Sequence, residues 1–219
     1  MNNNFINFYE LRELKQKNTP SYNPHFNITD IKIPSRVCLQ GSSGSGKTQT
    51  LLNYIYLTPD TWAHITIVTR APEPLYDYLQ EKLNDKIDVF YSLSKLPEPK
   101  DFNKSKENHL LVFDDQIIEK NQSTIINYFV YGRKCNVTVF YLSQNYYSVP
   151  KIIRSNFNYL LIVKVNSKRD LNLILRDTGS IEIYDDATKE KFQFLKISVE
   201  ESDVNKKFSK NWTDFYKIE

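Results

Sequence analysis

An α/β fold on a mainly parallel sheet, with helices on both faces, is what this sequence predicts, and three observations predict it. Short runs of five to seven mostly apolar residues recur between residues 36 and 165 and alternate with stretches of helical spacing. One run, Val37-Cys38-Leu39, leads directly into Gly41 to Thr48, GSSGSGKT, with an amphipathic segment from Gln49 to Leu57 behind it. Another run, Leu110 to Phe113, ends in the paired acids Asp114-Asp115. Continuously apolar strands suit a sheet covered on both sides, and strand–helix alternation suits a doubly wound arrangement.

In chain order, residues 1–30 are rich in Asn, Pro and Tyr and read as an N-terminal arm. The arm holds one predicted helix, Phe5 to Lys15, with Phe8, Leu11 and Leu14 at helical spacing. Residues 31–200 form the predicted nucleotide-binding domain. Its strands are Arg36 to Gln40, His64 to Thr69, Ile87 to Tyr91, Leu110 to Asp114, Val137 to Ser143 and Tyr159 to Val165. Its helices are Thr48 to Tyr56, Leu75 to Asn84, Ser123 to Tyr131, Val149 to Arg154 and Lys168 to Leu175. Ser92 to Asn108, with Pro97 and Pro99 and a lysine-rich end, reads as a surface loop. Ile181 to Tyr184 and Phe192 to Leu195 flank a polar turn and predict a C-terminal β-hairpin; residues 201–219 are a tail.

Bulk composition narrows the class. With 40% hydrophobic and 14% aromatic residues, 219 residues suffice for one well-filled domain. A net charge of +3 neither requires nor excludes a nucleic-acid partner, so contact with DNA would have to come from local clusters. Two cysteines, Cys38 and Cys135, both at strand positions, suit buried thiols in a reducing compartment. The start of the chain has no apolar signal segment, and Leu160 to Val163 is far too short to span a bilayer, so a soluble intracellular protein is expected.

The chemistry resides in G-x-x-x-x-G-K-[ST] at 41–48. Three of the chain's 5 glycines fall there, which composition alone does not explain. Gly41, Gly44 and Gly46 let the backbone turn its N–H groups toward a phosphate, with Ser42, Ser43 and Ser45 between them. Lys47 places a compact charge at the β- and γ-phosphates of ATP, Thr48 offers a hydroxyl to Mg²⁺, and Gln49 continues the binding segment. Asp114 is the candidate Mg²⁺ partner through water, and Asp115 the residue that orients or deprotonates the attacking water. Gln144, at the tip of the strand Val137 to Ser143, is a candidate contact to the γ-phosphate or the water. Arg133 and Arg154 each close a helix and are candidates for action on a neighbouring subunit's nucleotide. The three histidines, His25, His64 and His109, show no metal-ligand spacing and read as structural. Lys151, Lys164, Lys168 and Arg169, together with Lys100, Lys104 and Lys106, are basic clusters available to DNA phosphates.

Taken together, GSSGSGKT at 41–48, LLVFDDQ at 110–116 and YGRKCNVTVFYLSQNYYSVPKIIRSNFNYLLIV at 131–163 resemble the genome-packaging ATPases of poxviruses, other large DNA viruses and virophages, within the FtsK–HerA superfamily. The resemblance covers roughly residues 33–180. It implies a RecA-like (ASCE) sheet with the Gln144 strand between the phosphate-loop and Asp-Asp strands. It also implies an ATP-hydrolysing motor: a ring of five or six subunits moving double-stranded DNA, without sequence preference, into a preformed capsid at a vertex or portal. The implied location is the virus factory in the host-cell cytoplasm, or the virion. The chain departs from the pattern in having Asp115 where many relatives have Glu. It also has Leu160 near the position of an arginine in bacterial translocases. Two other classes remain open on sequence: a small nucleoside or nucleotide kinase, and an ATP-gated assembly subunit with little turnover.

Overall fold

A computed structural model of the chain describes residues 23–104, 107–119, 122–178 and 181–218. The predicted helix Phe5 to Lys15 lies outside the described residues. Among them, nine strands form one sheet. They are β1 (Arg36–Gln40), β2 (His64–Val68), β3 (Ile87–Phe90), β4 (His109–Asp114), β5 (Val137–Ser143), β6 (Tyr159–Ile162), β7 (Leu195–Ser198), β8 (Phe208–Lys210) and β9 (Asp214–Phe215). Their order is β3-β2-β4-β5-β1-β6-β7-β8-β9. Every pairing from β3 to β6 is parallel, and those joining β6, β7, β8 and β9 are antiparallel.

The apolar runs are strands because both of their faces are covered. Along β1, Val37 and Leu39 point to one core and Cys38 to the other; along β4, Leu110 and Val112 oppose Leu111 and Phe113. On the first face lie α2 (Lys47–Leu57), through Leu51, Tyr54 and Ile55, and α3 (Pro74–Leu83), through Tyr76 and Leu79. On the second lie α4 (Ser123–Tyr131), α5 (Lys151–Arg154), α6 (Lys168–Thr178) and α7 (Ile181–Ala187). Residues 93–104, expected as a surface loop, form 3₁₀ turns whose Phe102 ring stacks edge-on against Tyr128 of α4.

Two C-terminal expectations change. Ile181 to Tyr184 is not a hairpin strand: it belongs to α7, where Tyr184 and Ala187, three residues apart, bury the same face. The Ile-Glu-Ile alternation matched a two-residue period by coincidence over a stretch too short to distinguish it from a helix. The antiparallel edge begins instead at Leu195, since Phe192 occupies a turn with φ +69. The stretch 201–219 is more than a tail, because it holds α8 (Val204–Lys207) and contributes β8 and β9 to the sheet.

Lys196 fixes that edge. Its side chain is wholly buried, pairs with Asp30 at 2.7 Å and donates to the Trp212 carbonyl. It therefore ties β7 to the segment after α1 (Phe26–Thr29) and to the turn between β8 and β9. The outer strands are short: β9 has two residues, and β3 carries Asp88, which pairs with His64 of β2 at 3.0 Å.

Removing one member of a buried ion pair leaves the other without compensation, at a cost of about 3–5 kcal/mol. Asp30→Ala is therefore expected to lower unfolding stability by roughly 3 kcal/mol, read as a drop in urea midpoint at unchanged slope. A shift below a few tenths of a kcal/mol would show the Lys196 tie to be dispensable.

Candidate active site

Parallel register brings three strand tips to one edge of the sheet. Gln40 of β1 lies opposite Ser143 of β5, and Asp114 of β4 lies opposite Leu142. The chain beyond each tip stays in line, because Gly41 N–H donates to the Ser143 carbonyl (3.1 Å) and Asp115 N–H to the Leu142 carbonyl (3.3 Å). The carboxyl ends of parallel strands are where ligands of open α/β sheets bind. The order β4-β5-β1 bears out the expected placement of the Gln144 strand between the other two.

Between β1 and α2 the 41–48 segment turns tightly. Gly46 has φ +100, and a Cβ there would stand 2.6 Å from the Phe192 ring. Gly41 passes so close to the chain leaving β6 that a Cβ would meet Val163 at 2.1 Å. The Lys47 side chain folds back over the turn, donating to the Gly41 carbonyl (3.0 Å) and the Ser42 carbonyl (3.2 Å). Burial lowers the Lys47 pKa, and the nearby carboxylates of Asp115 and Asp114 oppose that shift. Ser45 Oγ is buried without a partner, while Ser43 and Gln49 are exposed.

Tyr76, on the first turn of α3, closes the arrangement. Its hydroxyl donates to Asp114 Oδ2 at 2.7 Å, and the Thr48 side chain lies beside the same hydroxyl. Both candidate metal-holding groups thus lie beside one phenol. Burial raises the Asp114 pKa to about 6; the Tyr76 hydrogen bond opposes the rise, and the neighbouring Asp115 charge adds to it. Asp115 has φ +50, a left-handed conformation that Asp tolerates, and its Oδ2 accepts from Gln144 Nε2 at 2.9 Å. Gln116 fixes the following turn by donating to the Asp114 carbonyl at 3.0 Å.

Among the described residues no cluster of three or more His, Cys, Asp or Glu could hold a metal. A hydroxyl and a carboxylate meeting at a strand tip fit an ion that takes its remaining ligands from phosphate and water, which is the habit of magnesium. The buried Ser45 hydroxyl and the cation of Lys47 fit the phosphates themselves.

The arginines lie apart from this network. Arg154 donates from Nε to the Val149 carbonyl at 3.0 Å and covers the Tyr147 and Tyr146 rings at 4.8 and 5.4 Å. Arg133 is exposed just before β5, at the opposite end of the sheet from the strand tips. Leu160 is buried within β6. The histidines also stay away: His64 is on β2 with Asp88, His25 faces the Pro59 carbonyl, and His109 stacks on Phe102. The sequence alone does not mark Tyr76 or Gln116 as site residues, since a tyrosine on an apolar helix face looks like core.

A glycine-turned loop between a parallel strand and a helix, with Lys47 at its end and acids on the next strand but one, defines a P-loop nucleotide-binding protein. The chain belongs to the family described as Poxvirus A32 protein, which it matches over residues 25–207. It is similar to the DNA packaging protein OPG160 of Variola virus and of Vaccinia virus (strain Copenhagen), 28% identical over 157 residues. Those matches cover 66% of this chain and 58% of the relatives. Among solved structures, B204, the DNA-packaging ATPase from Sulfolobus turreted icosahedral virus, has the same fold. Its TM-score is 0.61 at 14% identity, covering 83% of this chain and 98% of that one. The B204 genome-packaging NTPase from Sulfolobus turreted icosahedral virus 2, in complex with ATP-gammaS, gives 0.60 at 15% identity, covering 81% and 97%.

Because the folded-state pKa of Asp114 lies above its unfolded value, the folded protein binds the extra proton between pH about 4 and about 6. In the nucleotide-free protein Asp114 therefore costs stability as pH rises through that window and costs most above it, by roughly 2–3 kcal/mol. Asp114→Asn, which keeps the Tyr76 hydrogen bond, is expected to stabilise the protein above pH 6 and to have little effect near pH 4. Urea midpoints of both proteins across that range test this, and parallel curves would refute it.

Proposed function

We propose that this chain is the ATP-hydrolysing subunit of a motor that moves double-stranded viral DNA into a preformed capsid. One observation carries the reading: Lys47, Thr48, Asp114, Asp115 and Gln144 converge at the aligned tips of β1, β4 and β5. Membership of the Poxvirus A32 family supports it, as do relatives described as DNA packaging proteins and a shared fold with packaging ATPases.

The phosphates of ATP lie along the backbone N–H groups of residues 41–48, and Lys47 turns from its own loop carbonyls to the β- and γ-phosphates. Thr48 and Asp114 would hold magnesium, which when bound would neutralise phosphate charge. Gln144 grips Asp115 at Oδ2 and leaves Oδ1 to align the attacking water and take its proton. Tyr76 keeps Thr48 and Asp114 in reach of one another.

Subunits assemble as a ring of five or six, and Arg154, the last residue of α5, whose guanidinium covers the Tyr146 and Tyr147 rings just beyond Gln144, is offered to a neighbour's γ-phosphate; Arg133 is the poorer candidate from the far end of the sheet. DNA is gripped through phosphates, since a motor must pass every sequence. Exposed Lys151, Lys168 and Arg169 suit that contact better than Lys100, which pairs with Glu98 at 2.7 Å, or Lys164, which flanks the phosphate loop. The ring works at a capsid vertex, in the virus factory or the virion. No helix among the described residues is long and apolar enough to cross a membrane.

Steady-state ATP hydrolysis with and without linear duplex DNA tests this reading: DNA-stimulated turnover is expected, and an assembled oligomer without turnover or stimulation would refute it. Lys47→Ala is expected to weaken ATP binding. Asp115→Asn should keep binding while slowing hydrolysis by about 100-fold or more; wild-type turnover in that variant would remove Asp115 from the chemistry. Mixed Arg154→Ala and Lys47→Ala subunits should regain part of the turnover each lacks alone, because one supplies an intact nucleotide site and the other an intact arginine.

A further inference from the structure

Beside the phosphate loop, on the side away from the acids, lies a cavity of about 180 Å³ that no candidate residue of the hydrolytic site explains. Gly44 and Ser45 of the loop, Lys164 after β6, and the turn 188–193 between α7 and β7 form its wall. Phe192 dominates it. This aromatic side chain is 48% exposed, whereas most aromatics among the described residues are buried, and its backbone is in the left-handed region (φ +69), which non-glycine residues rarely adopt. Its ring rests against Gly46, one residue before Lys47, and the Lys191 ammonium stands 4.9 Å from the ring centroid.

We propose that Phe192 is the platform on which the base of a bound nucleoside triphosphate stacks. The inference rests on the phosphate-loop reading above. Phosphates laid along residues 41–48 leave ribose and base to emerge at the crest of the loop, and the crest residues Gly44 and Ser45 are part of this cavity's wall. The other flank is filled by Tyr76 and the acids. At about 180 Å³ the cavity is smaller than the roughly 300–1,000 Å³ that encloses a drug-sized ligand, and it suits one planar ring.

Apart from Ser45 of the phosphate loop, the uncharged polar side chains of the wall are already committed. Gln193 donates to Glu190 Oε2 (3.1 Å) and accepts from the Glu190 N–H (3.2 Å), while the Thr188 hydroxyl donates to the Tyr184 carbonyl (2.9 Å). Recognition is therefore by the face of the base rather than its edge, and every base has such a face. ATP and GTP accordingly bind with affinities within about tenfold of each other.

Inorganic tripolyphosphate separates the two readings, because it carries the phosphates without a base. Calorimetric titrations of ATP, GTP and tripolyphosphate into wild type, Phe192→Gly and Phe192→Trp provide the test. Phe192→Gly also relieves the left-handed backbone, so its unfolding midpoint should hold or rise. The proposal expects ATP affinity to fall by roughly 5- to 100-fold in Phe192→Gly, with tripolyphosphate unchanged, recovery in Phe192→Trp, and quenching of the new tryptophan by ATP. Tripolyphosphate binding with ATP affinity indifferent to Phe192, or discrimination between ATP and GTP of 100-fold or more, overturns the proposal alone. Failure of both ATP and tripolyphosphate to bind wild type overturns the phosphate-loop reading and this proposal with it.

Discussion

Everything at the candidate active site depends on the parallel pairing of β4, β5 and β1. Strands that run the same way end at the same edge, so the segments leaving them are neighbours although 103 residues separate Gly41 from Gln144. Two backbone hydrogen bonds beyond the regular ladder, Gly41 N–H to Ser143 and Asp115 N–H to Leu142, carry the alignment one residue past each strand. The alignment is steep in energy because both faces of these strands are core. A slip of one residue would exchange Leu111 and Phe113 for Leu110 and Val112 against the α4 helix and leave the pocketed aromatics unmatched.

Charge sits at this edge at a cost to the folded protein. Asp114 is buried enough to raise its pKa to about 6, and burial pulls Lys47 in the opposite sense. Each is neutralised imperfectly, Lys47 by its loop carbonyls and Asp114 by one phenol. An apolar core at the same place would be more stable, and proteins commonly give up stability where binding demands polar groups. Tyr76 limits the cost: its hydroxyl donates to Asp114, beside Thr48, without adding a charge.

What the sequence disclosed depended on whether the signal was local. GSSGSGKT and the apolar run ending in Asp114-Asp115 are contiguous, and strands covered on both faces announce themselves as unbroken apolar stretches, so six parallel strands fell within a few residues of expectation. The link between Tyr76 and Asp114 spans 38 residues, and nothing in Pro-Leu-Tyr distinguishes a hydroxyl aimed at a carboxylate from one aimed at solvent. Residues 181–187 illustrate the opposite failure, where a real local alternation gave way to the burial of Tyr184 and Ala187 on one helical face. Strands β8 and β9 were missed because Phe208-Ser209-Lys210 and Asp214-Phe215 are too short and too polar to stand out, and the sheet they join supplies the reason for their shape. The feature that singles out Arg133 and Arg154 in the sequence, a cation at a helix end, carries no information on which end of the sheet they occupy.

The outer strands of the sheet bear on how copies of this chain can meet. At one margin is the two-residue β9; at the other is β3, only four residues long and bearing an aspartate. Among the described residues neither margin offers the long, flat row of unpaired amides on which a foreign strand could align. These margins therefore give little hold for edge-to-edge strand pairing between crowded copies, and leave ordered contact to side-chain surfaces, where each position can be tuned separately by substitution.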